Sequence, residues 1–236
     1  MLKPWQKIPI LQSSESLVDL PEQFSRIDPH QYLSLGAPYG KNMTPWRLRA
    51  DVVNRLVYAQ QKLQYEYPEL QLLIFDCWRP IRVQKFMYEY AINQECISCG
   101  LSVNASRSSK DRDFKKVVYK VNKFWAFPSY NKSTPPPHST GAAVDLTLSI
   151  KNGSTLNMGG AIDLIGPESE PNYYLRLTKS DRKSLVYLWH SRRLLLRNIM
   201  TQSGFVQHPN EWWHFSFGDQ LWAWQTKSDA AFYGAI

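Results

Sequence analysis

The sequence predicts an α+β fold in which helices pack on one side of a small antiparallel sheet. Three observations carry that expectation. Val144, Leu146, Leu148 and Ile150 alternate strictly with Ala143, Asp145, Thr147 and Ser149, the two-residue period of a strand. Residues 70–75 (LQLLIF) form a short apolar run of strand length. Two longer stretches instead repeat apolar residues every three or four positions, with Leu48, Val52, Val53, Leu56, Val57 and Leu63 in one and Leu185, Leu188, Trp189, Leu195, Leu196 and Ile199 in the other.

Taken in order, residues 1–42 hold turn-forming Pro, Ser and Gly and read as an irregular arm packed on the body of a single 1–236 domain, a length that one core can serve. Thr44 followed by Pro45 marks a helix start, and Pro68 stands just beyond its end. The 70–75 strand delivers Asp76, Cys77, Trp78 and Arg79 ahead of Pro80, and a helix is expected over 81–93. Residues 96–109 are turn-like, and Phe114, Val117, Val118, Val121 and Trp125 then recur at helical spacing. Residues 131–140 (NKSTPPPHST) exclude regular structure, because three prolines remove donors and fix φ. After the 142–150 strand comes a loop with Asn152 and Gly153. Thr178 and Asp181 form a capping box for the last long helix, which closes near Gly204, and residues 212–217 form a final strand.

Lysine and arginine total 28 against 20 acids, a net charge of +8. The basic residues are spread over helical segments, and no nucleic-acid motif accompanies them, so a solvated basic surface is expected rather than nucleic-acid binding. No apolar run is long enough to span a bilayer. Met1 to Leu11 (MLKPWQKIPIL) lacks the apolar stretch of a signal peptide, which points to the cytoplasm. Cys77, Cys96 and Cys99 make an odd number for a disulfide framework and too few soft ligands for a structural zinc, so free thiols are expected. The oligomeric state stays open.

A catalytic zinc needs three protein ligands and an open position for water. His138 and Asp145 are six residues apart in a loop-to-strand passage with Gly141 between them, which lets both side chains reach one ion. His214 sits on the less apolar parity of the last strand, as Asp145 does on its own, and neighbouring strands would bring the two together. Glu211, three residues before His214, can stand beside the ion as a base. Spacing alone leaves the bland alternative open: a lone His is often a structural hydrogen-bonding residue, and a lone Asp a turn or cap residue. His30 and His190 take the structural reading, and His208 is at most a supporting residue near the site.

The runs PPHSTGAAVDLTL (136–148) and NEWWHF (210–215) resemble the two signatures of the D-alanyl-D-alanine dipeptidases, the VanX-like zinc peptidases. The resemblance implies the hedgehog/DD-peptidase-like fold and one zinc per chain held by His138, Asp145 and His214. It implies Glu211 as catalytic base and a small D,D-dipeptide as substrate. Asp76-Cys77-Trp78-Arg79-Pro80 matches the D-x-x-R-P context of an arginine that stabilises the tetrahedral intermediate, a role suited to a fixed guanidinium; the alternative is an arginine paired with a core carboxylate. Residues 158–163 (MGGAID) resemble the segment whose aspartate, here Asp163, binds the substrate's free amino group, with Ile162 in place of an aromatic. One departure is Pro136, where the family usually has a serine. A related D,D- or L,D-carboxypeptidase would share the ligand set but should be exported. A non-catalytic zinc module would not need both Glu211 and Arg79.

Overall fold

The computed structural model describes residues 3–102, 111–151, 153–178 and 184–236. Among the described residues of the N-terminal arm, the regular elements are a 3-10 turn at Pro4–Lys7, β1 (Leu17–Asp19), β2 (Ser25–Arg26) and α1 (Gln31–Ser34). The His30 imidazole caps α1 by accepting from Leu33 N at 3.4 Å.

The first long helix starts later than Thr44 and Pro45 imply. Residues 47–49 are drawn into β3 (Arg47–Arg49), which pairs antiparallel with β1 from Leu17↔Arg49 to Asp19↔Arg47, and α2 (Ala50–Glu66) begins only after it. Thr44 Oγ1 accepts from Trp46 N at 3.2 Å, closing a local turn instead of a helix. Strand pairing outweighs the local start signal here because it satisfies backbone groups that a helix end leaves open. α2 buries Val52, Leu56, Ala59 and Leu63 and stops before Pro68.

β4 (Leu70–Asp76) follows, then α3 (Ile81–Ser98), which runs past the expected end at 93 and takes Cys96 into the helix. Residues 103–110 of the turn-like stretch lie outside the described residues. α4 (Arg112–Val121) is capped by the Asp111 carboxylate, which accepts from Asp113 N at 2.8 Å. Within the proline-rich stretch one 3-10 turn does form, Pro137–Thr140, because Pro137 occupies its first position, where no donor is lost. Gly141 then takes φ +72°, and a Cβ there would meet Leu17 Cδ2 at 2.3 Å, so the turn into the next strand requires glycine.

β5 (Ala143–Ile150) places Val144, Leu146 and Leu148 in the main core. Its other parity, with Asp145, Thr147 and Ser149, is buried as well, so the polar face is enclosed rather than wet. Asn152 lies outside the described residues, as does Asp181 of the expected capping box. Thr178 instead ends a short helix, α5 (Tyr173–Leu177), and Ser184 caps α6 (Leu185–Gln202) by accepting from Tyr187 N at 3.2 Å. β6 (Val206–Gln207), β7 (His214–Ser216) and α7 (Gln220–Thr226) complete the chain, and the Asp219 carboxylate caps α7.

The main sheet has the order β2-β4-β5-β7-β6. Its β4-β5-β7-β6 portion is antiparallel, and the two-residue β2 adds a parallel edge. One core unites α2 and α6 with Leu72 and Ile74 of β4 and the apolar parity of β5. A second cluster, with Val83 and Met87 of α3 and Val117 and Val121 of α4, meets the sheet through Phe75. Alternation along β4 therefore divides its side chains between the two clusters. Among the described residues no helix is long and apolar enough to cross a membrane. Cys77, Cys96 and Cys99 form no disulfide among the described residues.

Candidate active site

The site forms where β4, β5 and β7 end together. Asp145 and His214 are direct cross-strand partners in the β5–β7 ladder, the adjacency under which their side chains converge. A register shift between Ile74 and Asp76 brings Asp76 opposite Asp145 as well. The Pro137–Thr140 turn carries His138 over this strand end: Arg79 N donates to His138 O at 3.3 Å, and Ser139 Oγ donates to Arg79 O at 2.8 Å.

Ligand atoms of His138, Asp145 and His214 lie within 4.8 Å of one another, and all three side chains are buried. His138 Nδ1–H donates to Cys77 O at 2.6 Å, which turns the Nε2 lone pair toward the other two residues. His214 Nε2 lies 3.2 Å from Ser216 Oγ; with its proton on that nitrogen, Nδ1 faces His138 Nε2 at 3.1 Å and Asp145 Oδ1 at 3.0 Å. Two imidazole lone pairs and a carboxylate then converge on one point. A divalent cation relieves that crowding, and this donor set suits zinc. Burial opposes ionisation of Asp145, but His138 and His214 beside it hold its carboxyl well below the usual range.

Glu211 stands next to the cluster, with Oε2 3.7 Å from His214 Nδ1 and Oε1 3.2 Å from His208 Nδ1. Burial raises its carboxyl well above the ordinary value, and Asp145 and Asp163 push the same way against Arg79 and Lys3. Burial likewise lowers His208 well below its usual range, followed in effect by His214 and Lys3. His208 is thus a neutral partner of Glu211.

Arg79 is paired with buried carboxylates, as its structural reading expects, and it also faces the cavity. Nε donates to Asp76 Oδ2 at 2.6 Å, Nη1 to Gln84 Oε1 at 3.1 Å and Nη2 to Asp145 Oδ2 at 2.8 Å, while the side chain also lines the cavity. The guanidinium carbon lies 5.2 Å from the ring centres of both Tyr32 and Trp125. Behind it, Asp76 Oδ1 accepts from His30 Nε2 at 2.9 Å and from Tyr39 Oη at 3.3 Å. Asp76, Gln84, Tyr32 and Tyr39 are supports that sequence reasoning missed. Asp76 alone left a signal, as the acid of the Asp76–Pro80 run.

Asp163 reaches the same cavity from the 158–163 loop, and its Oδ2 accepts from Tyr32 Oη at 2.7 Å. It holds φ +64°, the left-handed region that non-glycine residues seldom occupy. Burial and then Asp145 push its carboxyl up to about 7. The loop is fixed from α6, where the Arg193 guanidinium donates to Met158 O at 2.8 Å and Glu168 O at 2.7 Å. Gly159 packs under Tyr174, whose ring a Cβ would meet at 2.4 Å. Pro136 precedes the His138 turn in extended conformation and offers no hydroxyl. His190, on α6, lines none of this cavity.

A buried His–Asp–His cluster at a strand end, with a carboxylate beside it on an α+β scaffold, offers the donor set that a metallopeptidase needs. The family described as D-ala-D-ala dipeptidase matches residues 110–231. Over its whole length the chain is 39% identical to a D-alanyl-D-alanine dipeptidase of Synechocystis sp., covering 97% of that protein. A second D-alanyl-D-alanine dipeptidase, from Escherichia coli, is 29% identical over 146 residues, 62% of this chain and 54% of that one. The protein belongs to the D-Ala-D-Ala dipeptidase family of metallopeptidases. Among solved structures, a zinc complex of a variant of the vancomycin-resistance D,D-pentapeptidase VanY aligns with a TM-score of 0.44 at 10% identity, covering 92% of this chain and 90% of that one. The LD-carboxypeptidase LdcB aligns at 0.41 and 12% identity, covering 93% and 76%.

Proposed function

We propose that this protein hydrolyses the D-Ala-D-Ala dipeptide using one zinc ion held by His138, Asp145 and His214. The observation that carries the proposal is the convergence of those three side chains with Glu211 only 3.7 Å from His214 Nδ1. Zinc bound there supplies Lewis acidity, lowering the pKa of a water and polarising the scissile carbonyl. Glu211 takes the water's proton and returns it to the leaving nitrogen, and its raised affinity for protons suits both halves of that transfer.

Arg79 uses three of its five N–H groups on Asp76, Gln84 and Asp145, which leaves one hydrogen on each terminal nitrogen. Those remaining donors stabilise negative charge developing on the carbonyl oxygen. Asp163 pairs with the substrate's free ammonium. An acylated or longer peptide presents an amide there, leaving a buried carboxylate unpaired, and is rejected on that account.

Residues 1–236 act as one domain on this reading, since the arm contributes Trp5 to a cluster with Val206 and Leu221 beside the site. A cytoplasmic setting agrees with three cysteines that form no disulfide among the described residues. The test is D-alanine release by zinc-loaded protein from D-Ala-D-Ala, L-Ala-L-Ala and N-acetyl-D-Ala-D-Ala. Release from the first alone is expected. Equal release from the acetylated compound would make the protein a carboxypeptidase.

A further inference from the structure

A dipeptide has two charged ends, and two residues of chain span at most about 7 Å. Both ends therefore lie in the same cavity as the scissile bond, here a space of about 590 Å³. Asp163 answers the ammonium. Of the cations lining the cavity, Arg79 is committed to Asp76 and Asp145, whereas Lys3 and Lys123 form no ion pair among the described residues. We propose that Lys3 and Lys123 bind the substrate's C-terminal carboxylate and so select dipeptides with a free C-terminus, an inference that rests on the dipeptidase reading above.

Lys3 is held in place by the fold around it. Its backbone N–H donates to Gln6 Oε1 at 2.8 Å. Two residues on, Trp5 is buried against Val206 and Leu221 and sets its ring against His208 at 5.7 Å between centres. Gln220 Nε2 fastens the following residues by donating to Ile8 O at 2.6 Å, and it also donates to Ser133 O at 3.0 Å. Lys123 follows α4, and its carbonyl accepts from Asn210 Nδ2 at 3.0 Å, which ties it to the residue beside Glu211.

The charges are laid out with the polarity of a zwitterion. Lys3 lies two residues before Trp5, whose ring meets the His208 that partners Glu211, and Lys123 is bonded to Asn210 beside Glu211, whereas Asp163 is held by Tyr32 beside Arg79. Glu211 lies within the fields of both Lys3 and Asp163. Burial lowers the Lys3 ammonium, and Lys123 depresses it further. Two neighbouring cations, one partly stripped of water, are each favoured by an arriving carboxylate.

The test compares D-Ala-D-Ala with its C-terminal amide in wild type and in the Lys3→Gln/Lys123→Gln double variant, with zinc content and circular dichroism confirming intact protein. In wild type the acid should be strongly preferred. In the double variant kcat/KM for the acid should fall about 10- to 100-fold, the scale of losing charged hydrogen bonds, mainly through KM. The rate on the amide should fall far less, so that the acid-to-amide ratio drops, and Lys3→Arg/Lys123→Arg should restore much of the preference. If the double variant does not fold, the Lys123→Gln single variant, altered at an exposed residue, serves for the same ratio and should still lower it. An unaltered acid-to-amide ratio overturns this proposal alone. No D-alanine release from either compound by wild type overturns the dipeptidase reading, and this inference with it.

Discussion

Arg79 donates from Nη2 to Asp145 Oδ2 at 2.8 Å, so the carboxylate proposed to ligate zinc is also half of a buried ion pair. The same guanidinium grips Asp76 through Nε, and its planar fork fixes the angle between the two acids. Lysine offers one point of charge and cannot hold both carboxylates while also facing the cavity. Arg79→Lys should therefore lower turnover by at least about 100-fold, the scale of removing one donor from an oxyanion site. It should also weaken zinc binding about 10- to 100-fold, as loss of a group that orients a ligand does. Turnover and zinc affinity measured on one preparation check both; loss of turnover with wild-type affinity would mean that Arg79 does not orient Asp145.

For the ligands, His138→Ala should remove zinc and activity together while the fold survives, since outside the ligand cluster the imidazole is anchored by the Cys77 carbonyl at 2.6 Å, with Asp76 Oδ2 further off at 3.5 Å and Asp76 still held by Arg79 and His30. Asp145→Ala should do more. It leaves the Arg79 guanidinium buried with one partner gone, and breaking a buried pair costs about 3–5 kcal/mol. Metal analysis with thermal unfolding of the zinc-free proteins separates the two effects. Equal stabilities would mean that Arg79 repartners without cost.

These relationships also mark what the sequence made legible. The alternation over 143–150 and the parity of His214 put Asp145 and His214 each on the less apolar face of its own strand, because strand period is a local property, whereas the pairing that sets them opposite each other is a fact of the folded sheet. The helix start at Thr44 misled for the opposite reason: pairing of β3 with β1 is a long-range event that no local window contains. The same holds for the site's supports. Tyr32, His30 and Lys3 come from the arm, and only folding brings its irregular segments against Asp163, Asp76 and the Glu211 side of the cavity. Pro, Ser and Gly turns carry no periodicity from which those contacts could be read.

Asp163 gives a pH signature. With its carboxyl pushed up to about 7, it is neutral below that pH and cannot pair with an ammonium. Above it the carboxylate forms, while the substrate's amine stays charged until about pH 8. For D-Ala-D-Ala, kcat/KM should thus rise as pH increases toward neutrality and fall again as the amine loses its proton, with bound zinc moving the rising limb lower. Asp163→Asn should abolish the contribution of Asp163 to the rising limb and raise KM selectively for substrates with a free amine. An unchanged profile in that variant, or equal losses on blocked substrates, would remove Asp163 from ammonium binding.

Glu211 separates an enzyme from a protein that merely holds zinc, since both would use the same three ligands. Its Oε2 lies 3.7 Å from His214 Nδ1, beside the cluster, and its Oε1 meets His208 Nδ1 at 3.2 Å. Amide cleavage needs a proton taken from water and a proton given to the leaving nitrogen, and one carboxyl group whose ionisation is opposed by burial serves for both. Glu211→Gln preserves the shape and one hydrogen-bonding oxygen but cannot shuttle the proton. The variant should keep its fold and its zinc while turnover falls roughly 100- to 10,000-fold, the usual scale for general acid–base catalysis. Zinc content and D-Ala-D-Ala hydrolysis are measured on the same sample. Near wild-type turnover would assign the base to another group, His208 being the nearest; loss of zinc would make Glu211 a ligand and leave the proton transfer without its carrier.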